Sequence, residues 1–128
     1  MQSNEAVVAK IYADLAEGDI EALVCSLDEQ IEWVVPRSLW YGGSFTGREA
    51  VGKIFERYAT EWADLKVLPD AFVPGGDIVV VIGHYAGRRR ETGKALWARC
   101  AHVWQLRNGV PVRFETIADT QVMVETGE

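Results

Sequence analysis

The sequence predicts an α+β fold in which N-terminal helices pack on a curved, mostly antiparallel sheet. Two helical stripes, one short strand and a third helical stripe come first, and a run of strand-like segments follows. The connections between the last strands are too short for parallel crossovers, which indicates antiparallel pairing. A curved sheet that closes over a long helix leaves a conical cavity at its open end.

The first two helices are predicted from apolar residues on one face. The first helix ends at Gly18, a residue typical of helix C-termini, and Asp19 is the predicted N-cap of a short second helix. The two apolar stripes consist of Val8, Ile11, Tyr12 and Leu15, and of Ile20, Leu23, Val24 and Leu27.

A strand over Ile31–Val35 comes next and is expected to end at Pro36. A loop is predicted through Trp40–Gly43, and Thr46 is the predicted cap of the third helix. That helix has the clearest periodicity in the chain, with Val51, Ile54, Phe55, Tyr58 and Trp62 on one face.

The remaining segments are predicted strands. Leu65–Phe72 and Ile78–Ala86 come first, and Ala95–Leu106 and Val110–Ala118 follow as the arms of a β-hairpin. The hairpin is predicted because Asn108-Gly109 between the arms is a strong turn signal.

Two registers are compatible with this hairpin. A two-residue loop places Glu115 opposite His102, whereas a loop one residue longer places Thr116 there. We favour the longer loop because it gathers the apolar residues on one face. That face consists of Ala98, Cys100, His102, Trp104, Val112, Phe114, Thr116 and Ala118.

His102 is the first candidate site residue, because a half-buried titratable group on a sheet face is where small-molecule chemistry usually starts. A core histidine bonded to Thr116 or to a backbone carbonyl is the alternative. Cys100 and His102 lie two residues apart with nearly parallel side chains, which disfavours a thiolate nucleophile. We predict that Cys100 and Thr116 contact a ligand beside His102.

Large aromatic residues are numerous for such a small chain, and a cone cannot fill its mouth with all of them. We predict that Trp33, Tyr85 and Trp104 line the cavity and that Tyr41 lies on its rim. Glu32 takes the place of Trp33 if the first strand has the opposite parity.

The opposite face of the hairpin mixes apolar and charged residues in a self-complementary way, which favours a homodimer. It consists of Trp97, Arg99, Val103, Gln105, Arg113, Glu115 and Ile117. A monomer would leave Trp97, Val103 and Ile117 in water.

Composition indicates a single domain over residues 1–128, since 48% hydrophobic and 25% charged residues are ordinary globular usage. The net charge of −6 disfavours nucleic acid or an anionic membrane as a partner. The basic run Arg88–Arg90 is predicted to be a solvated hairpin tip.

Cys25 and Cys100 form no Cys-x-x-Cys motif, which favours reduced thiols and a cytoplasmic protein. The first residues show no secretory pattern, and no apolar run approaches the roughly 20 residues that span a bilayer. The glycines match no nucleotide-binding loop, and His84 and His102 fall short of a metal ligand set. Neither a cofactor nor a metal is therefore predicted.

Several segments resemble the SnoaL-like polyketide cyclase group of the nuclear-transport-factor-2-like, ketosteroid-isomerase-like superfamily. The resemblance covers nearly the whole chain and rests on Ala16–Asp19, Ile31–Pro36, Thr46–Val51, Thr92-Gly93, Ala101–Trp104 and Ala118–Thr120. It implies a cystatin-like, cone-shaped α+β barrel with a hydrophobic pocket and a homodimer formed through the outer sheet face.

The resemblance also implies site residues. The cyclases keep a histidine on the penultimate strand and an acid–base aspartate at the end of the last strand, and His102 and Asp119 match these positions. An outward ion pair between Asp119 and Arg99 is the alternative for the aspartate. The catalytic residues of ketosteroid isomerases are absent, because the positions similar to theirs hold Ile11, Val34 or Val35, and Ala101 or His102. The Asp-Arg-Asp set of limonene epoxide hydrolases is absent as well, because its positions hold Tyr85, Gly83 and Thr116.

Two functional hypotheses follow from the sequence. The first is a cofactor-independent isomerase, cyclase or lyase that acts on a small apolar carbonyl compound through His102 and Asp119. The second is a non-catalytic ligand-binding or scaffold homodimer with the same pocket.

Overall fold

The computed structural model describes residues 2–128 and contains all the helices and strands that the sequence predicts. Two further elements are short and consist of residues Gly43–Thr46 and Thr120–Glu125. In chain order the elements are α1 (Asn4–Ala16), α2 (Ile20–Cys25), β1 (Glu32–Val35), β2 (Gly43–Thr46), α3 (Arg48–Glu61), β3 (Trp62–Gly75), β4 (Ile78–Arg89), β5 (Ala95–Arg107), β6 (Val110–Ala118) and α4 (Thr120–Glu125).

Within residues 2–128 the strands form one open sheet in the order β2-β1-β6-β5-β4-β3. Neighbouring strands are antiparallel except β1 and β6, which are parallel. The helices α1 and α3 pack against this sheet, and the hydrophobic core lies between the two layers. The predicted α+β fold is therefore confirmed.

The starts of the first two helices follow from side-chain caps. Ser3 accepts a hydrogen bond from the amide of Ala6 at the start of α1, and Asp19 accepts one from Ala22 at the start of α2. The prediction for Asp19 is thus confirmed.

No helix among residues 2–128 is both long enough and apolar enough to cross a membrane.

The third helix differs from its prediction at both ends. Thr46 does not cap α3, because it is the last residue of β2. The N-cap is Gly47, whose φ of 96° suits a glycine and which has no side chain to accept a capping hydrogen bond. Trp62 does not belong to the helical face either, since α3 ends at Glu61 and Trp62 opens β3. Trp62 is nonetheless fully buried, because the apolar pattern read as helical in the sequence continues from α3 into the first residue of β3.

The hairpin register is confirmed at its centre, where Thr116 lies opposite His102, but the predicted longer loop is wrong. The loop is Asn108-Gly109, and both residues have positive φ, as a two-residue hairpin turn requires. A bulge between Gln105 and Leu106 then shifts the pairing by one residue. The bulge reconciles a tight turn with the apolar face.

Candidate functional site

A cavity of about 310 Å³ lies between the helices and the inner face of the sheet. Apolar and aromatic side chains make up most of its wall, and these include Ile11, Leu15, Leu23, Trp33, Val35, Leu39, Phe55, Trp62, Val67, Trp104, Phe114 and Met123. Its mouth is marked by four exposed lining residues, Gly18, Ala59, Asp64 and Arg90. A concave, mostly apolar site of this size suits a small organic molecule.

His102 reaches this cavity because side chains alternate along β5, which buries one residue in two. The imidazole is only 3% exposed, and both of its nitrogens are hydrogen bonded. Nδ1 lies 2.5 Å from the hydroxyl of Tyr12 on α1, and Nε2 lies 2.6 Å from the hydroxyl of Tyr85 on β4. Tyr85 also lies 2.8 Å from the Thr116 hydroxyl on β6.

The donor-only indole of Trp104 fixes the direction of this hydrogen-bond chain. Trp104 Nε1 donates to the Tyr12 hydroxyl at 2.9 Å, so the Tyr12 proton is left for Nδ1 of His102. The proton of the neutral imidazole then sits on Nε2, which donates to Tyr85, and Tyr85 donates to Thr116. This arrangement satisfies both imidazole nitrogens and both tyrosine hydroxyls. We call these five residues the histidine chain.

Burial controls the protonation of the histidine chain. Desolvation lowers the pKa of His102 from 6.5 to about 3, because a charged imidazole loses the water that would stabilise it. The same effect raises the pKa of Tyr12 and Tyr85 above the usual value. At neutral pH the histidine chain is therefore uncharged.

A second pair of hydroxyls lines the same cavity but does not belong to the histidine chain. Tyr58 accepts a hydrogen bond from the indole of Trp33 at 3.2 Å, and Tyr41 accepts one from the indole of Trp62 at 3.1 Å. Among residues 2–128 neither hydroxyl has an acceptor for its own proton. Burial raises the pKa of Tyr41 to about 12 and also raises that of Tyr58, so both remain protonated donors.

The structure places most of the predicted site residues in the cavity wall. Trp33 and Tyr41 are buried there, and Glu32 points outward, where its carboxylate lies 3.5 Å from the guanidinium of Arg113. This settles the parity of the first strand in favour of Trp33. Four further predicted residues also line the cavity, namely Tyr85, His102, Trp104 and Thr116.

Two predicted residues lie elsewhere. Asp119 is exposed and caps α4, where its carboxylate accepts a bond from the amide of Val122 at 3.4 Å. Cys100 is buried on the inner face of the sheet but outside the wall of the cavity, and burial raises the pKa of its thiol to about 11. Neither Asp119 nor Cys100 therefore belongs to the cavity wall beside His102.

Tyr12 and Tyr58 are site residues that the sequence did not reveal. Both lie within apolar helical stripes, at spacings that predict burial but give no sign of a bonded hydroxyl. Tyr12 is one residue beyond Ile11, the position compared above with the helix tyrosine of ketosteroid isomerases.

Among residues 2–128 no group of three or more His, Cys, Asp or Glu side chains could hold a metal ion.

Comparison with solved structures gives matches over almost the whole chain. An NTF2-like protein from Burkholderia thailandensis is 29% identical, with a TM-score of 0.96, and the match covers 100% of this chain and 99% of that one. An NTF2-like protein from Burkholderia pseudomallei is 26% identical, with a TM-score of 0.91 and 98% of each chain covered. TerC, co-crystallized with polyporic acid, is 26% identical, with a TM-score of 0.88 and 96% of each chain covered.

No curated protein matches the sequence. The family model of the SnoaL-like domain does match, and it spans residues 8–114, from the first helix to the last strand. This span includes the histidine chain up to β5 and both hydroxyl donors, Tyr41 and Tyr58. The chain belongs to the SnoaL-like domain family.

Proposed function

We propose that this protein binds a small, largely apolar carbonyl compound in the cavity between its helices and its sheet. The observation that carries the proposal is the pair of hydroxyls, Tyr41 and Tyr58, each of which has a proton to donate inside an aromatic wall. A buried donor without an acceptor costs free energy, and a ligand oxygen removes that cost.

The hydrogen-bond donors and the charges of the wall define the chemical class of the ligand. Both donors remain protonated at neutral pH, and the two charged residues in the described part of the wall, Asp64 and Arg90, lie at the mouth. A ketone, quinone or ester oxygen fits this wall, because it can accept the protons of these hydroxyls. The rings of Tyr41 and Tyr58 are in edge-to-face contact, with 5.7 Å between their centroids, so both side chains belong to the same part of the wall. The co-crystallization of the relative TerC with polyporic acid supports an organic ligand of this kind.

The contacts of His102 favour binding over acid–base catalysis. Its two nitrogens already bond to Tyr12 and Tyr85, and its low pKa makes it a weak base at neutral pH. Asp119, the expected partner in proton transfer, caps α4 outside the cavity. We therefore assign His102 the role of holding the polar wall in place and leave Asp119 out of the proposed site.

A matched pair of probes tests the carbonyl site. Acetylnaphthalene should bind more tightly than ethylnaphthalene, which has nearly the same shape but no oxygen. Tyr58→Phe should weaken acetylnaphthalene by about fivefold, the value of one hydrogen bond, and ethylnaphthalene by less than about twofold. Titration followed by tryptophan fluorescence is suitable, because Trp33, Trp62 and Trp104 line the cavity. Failure of both probes to bind, or an equal loss for both in the variant, would refute the proposal.

We also propose that the outer face of the sheet forms a homodimer. Trp97 is 59% exposed and Ile117 is 55% exposed, and Leu68, Val73 and Ile78 on the same side are exposed as well. Arg113 and Glu115 lie on the same face of β6 as Ile117 and pair with each other at 3.0 Å. A self-complementary face of this kind is typical of a two-fold interface.

Light scattering coupled to size exclusion tests the dimer. The wild type should elute with twice the chain mass of 14.3 kDa, and Ile117→Asp should shift it to the monomer, because burying an unpaired carboxylate is costly. Val124→Asp changes an exposed apolar residue on α4, away from this face, and should leave the dimer intact. A monomeric wild type at micromolar concentration would contradict the proposal.

A further inference from the structure

The three arginines of the basic run have different environments, and one of them faces the cavity. Arg88 donates from Nη1 to the carbonyl of Gly93 at 3.0 Å. Arg89 is buried, stacks 3.8 Å above the ring of Trp40 and pairs with Glu91 at 3.3 Å. Arg90 is exposed and lines the mouth of the cavity. The solvated hairpin tip predicted from the sequence therefore holds for Arg88 and Arg90, which are exposed, but not for Arg89, which is buried.

Hydrogen bonds to backbone carbonyls, rather than ion pairs, hold Arg90 in place. Its Nε donates to the carbonyl of Ala59 at 2.7 Å, and its backbone amide donates to the carbonyl of Glu61 at 3.0 Å. Both acceptors belong to the last turn of α3, so the guanidinium lies beside the turn that carries Tyr58. Among residues 2–128 Arg90 forms no ion pair with a carboxylate, and its two Nη groups donate no hydrogen bond.

Arg90 is also the one cation in the described wall of the cavity, and the one carboxylate there is Asp64. Asp64 is exposed on an irregular segment of β3, has a φ of 53° and lies beyond ion-pair distance from Arg90. A guanidinium that is fixed through Nε presents its Nη groups to an anion in a defined geometry. An exposed carboxylate with no anchoring bond does not offer a cation an equivalent site.

We propose that the ligand is a monoanion with an apolar body, and that its carboxylate or sulfonate binds Arg90 at the mouth of the cavity. This inference rests on the proposed function, because the body of the ligand occupies the same cavity. It adds that the ligand enters with its charged group last. The acidic group then lies at the end of the cavity where Tyr58 holds the neutral oxygen.

Two fluorescent probes with the same aromatic body test the inference. Anilinonaphthalene sulfonate carries one anionic group, and phenylnaphthylamine carries none. In the wild type each probe should displace the other, and the sulfonate should bind more tightly. Arg90→Gln should weaken the sulfonate by about fivefold and the neutral amine by less than about twofold, because only the charged contact is lost. Arg88→Gln is the matched control and should alter neither affinity.

The outcomes separate this inference from the proposed function. If neither of these probes nor acetylnaphthalene binds the wild type, both proposals fail, whereas binding of acetylnaphthalene alone overturns only the anion site at Arg90. If the neutral amine binds but Arg90→Gln leaves the sulfonate affinity unchanged, only the assignment of Arg90 is overturned. Because Nε of Arg90 also bonds to the last turn of α3, Arg90→Gln can disturb the fold itself. An equal loss of affinity for both probes would show that Arg90 is only structural and would overturn its assignment. Added salt should weaken the sulfonate more than the amine in the wild type.

Discussion

Replacing His102 by leucine is expected to lower the free energy of unfolding by about 3 kcal/mol. The imidazole accepts the proton of the Tyr12 hydroxyl and donates to Tyr85, and both contacts lie inside the fold. Leucine fills much of the space but leaves the Tyr12 proton without an acceptor, and a buried orphan of this kind costs about 1–3 kcal/mol. The loss is a large part of the 5–15 kcal/mol that stabilises a typical domain. Urea denaturation followed by circular dichroism measures it.

A double-mutant cycle shows whether the loss comes from the bond to Tyr12. Tyr12→Phe removes the same hydrogen bond from the other side, so the effects of Tyr12→Phe and His102→Leu should not add. We expect a coupling free energy of about 1 kcal/mol or more between the two positions. Additive effects would mean that the two side chains are merely neighbours, and the histidine chain would then have to be abandoned as a cooperative unit.

The inner face of the hairpin was predictable because a one-residue slip in β5 would turn every apolar side chain outward. The alternation from Ala98 to Trp104 therefore located His102 and its partner Thr116 correctly. The loop was not predictable by the same argument, because a bulge near Gln105 allows a tight turn and the correct face together. Two local rules that conflicted in the sequence are both obeyed in the structure.

The polar contacts of the site were less predictable than its position. Helical spacing places Tyr12 and Tyr58 on buried stripes, but the partner of each hydroxyl is set by the residue that the sheet brings opposite. These partners, His102 and Trp33, are 90 and 25 residues away in the chain. Sequence periodicity carries no information about contacts over such distances.

Asp119 shows how a match in position can leave the direction of a side chain open. The comparison with cyclases located an aspartate at the end of the last strand, and β6 does end there. The next residues, however, form α4, and an aspartate before a helix is a preferred N-cap. Its carboxylate turns to the amide of Val122 and away from the cavity, because the helix offers it an unpaired donor.

Acid is expected to destabilise the protein through the same buried imidazole. Burial lowers the pKa of His102 to about 3 in the folded protein, whereas the unfolded chain keeps a value near 6.5. Between these values the unfolded state binds a proton that the folded state does not, so stability is complete above pH 6.5 and declines as the pH falls towards 3. The slope is about 1.4 kcal/mol per pH unit, which gives a loss of about 2 kcal/mol between pH 7.5 and pH 5.

The comparison of variants isolates this contribution from that of the carboxylates. His102→Gln removes the buried imidazole, so its unfolding free energy should fall less between the two pH values than that of the wild type, by about 2 kcal/mol. His84→Gln removes the other histidine, which pairs with Asp70 on the outer face, and should keep the slope that His102 produces. Urea denaturation at both pH values gives the three slopes. Parallel slopes for the wild type and His102→Gln would show that the imidazole takes up its proton inside the fold, and the neutral histidine chain would be refuted.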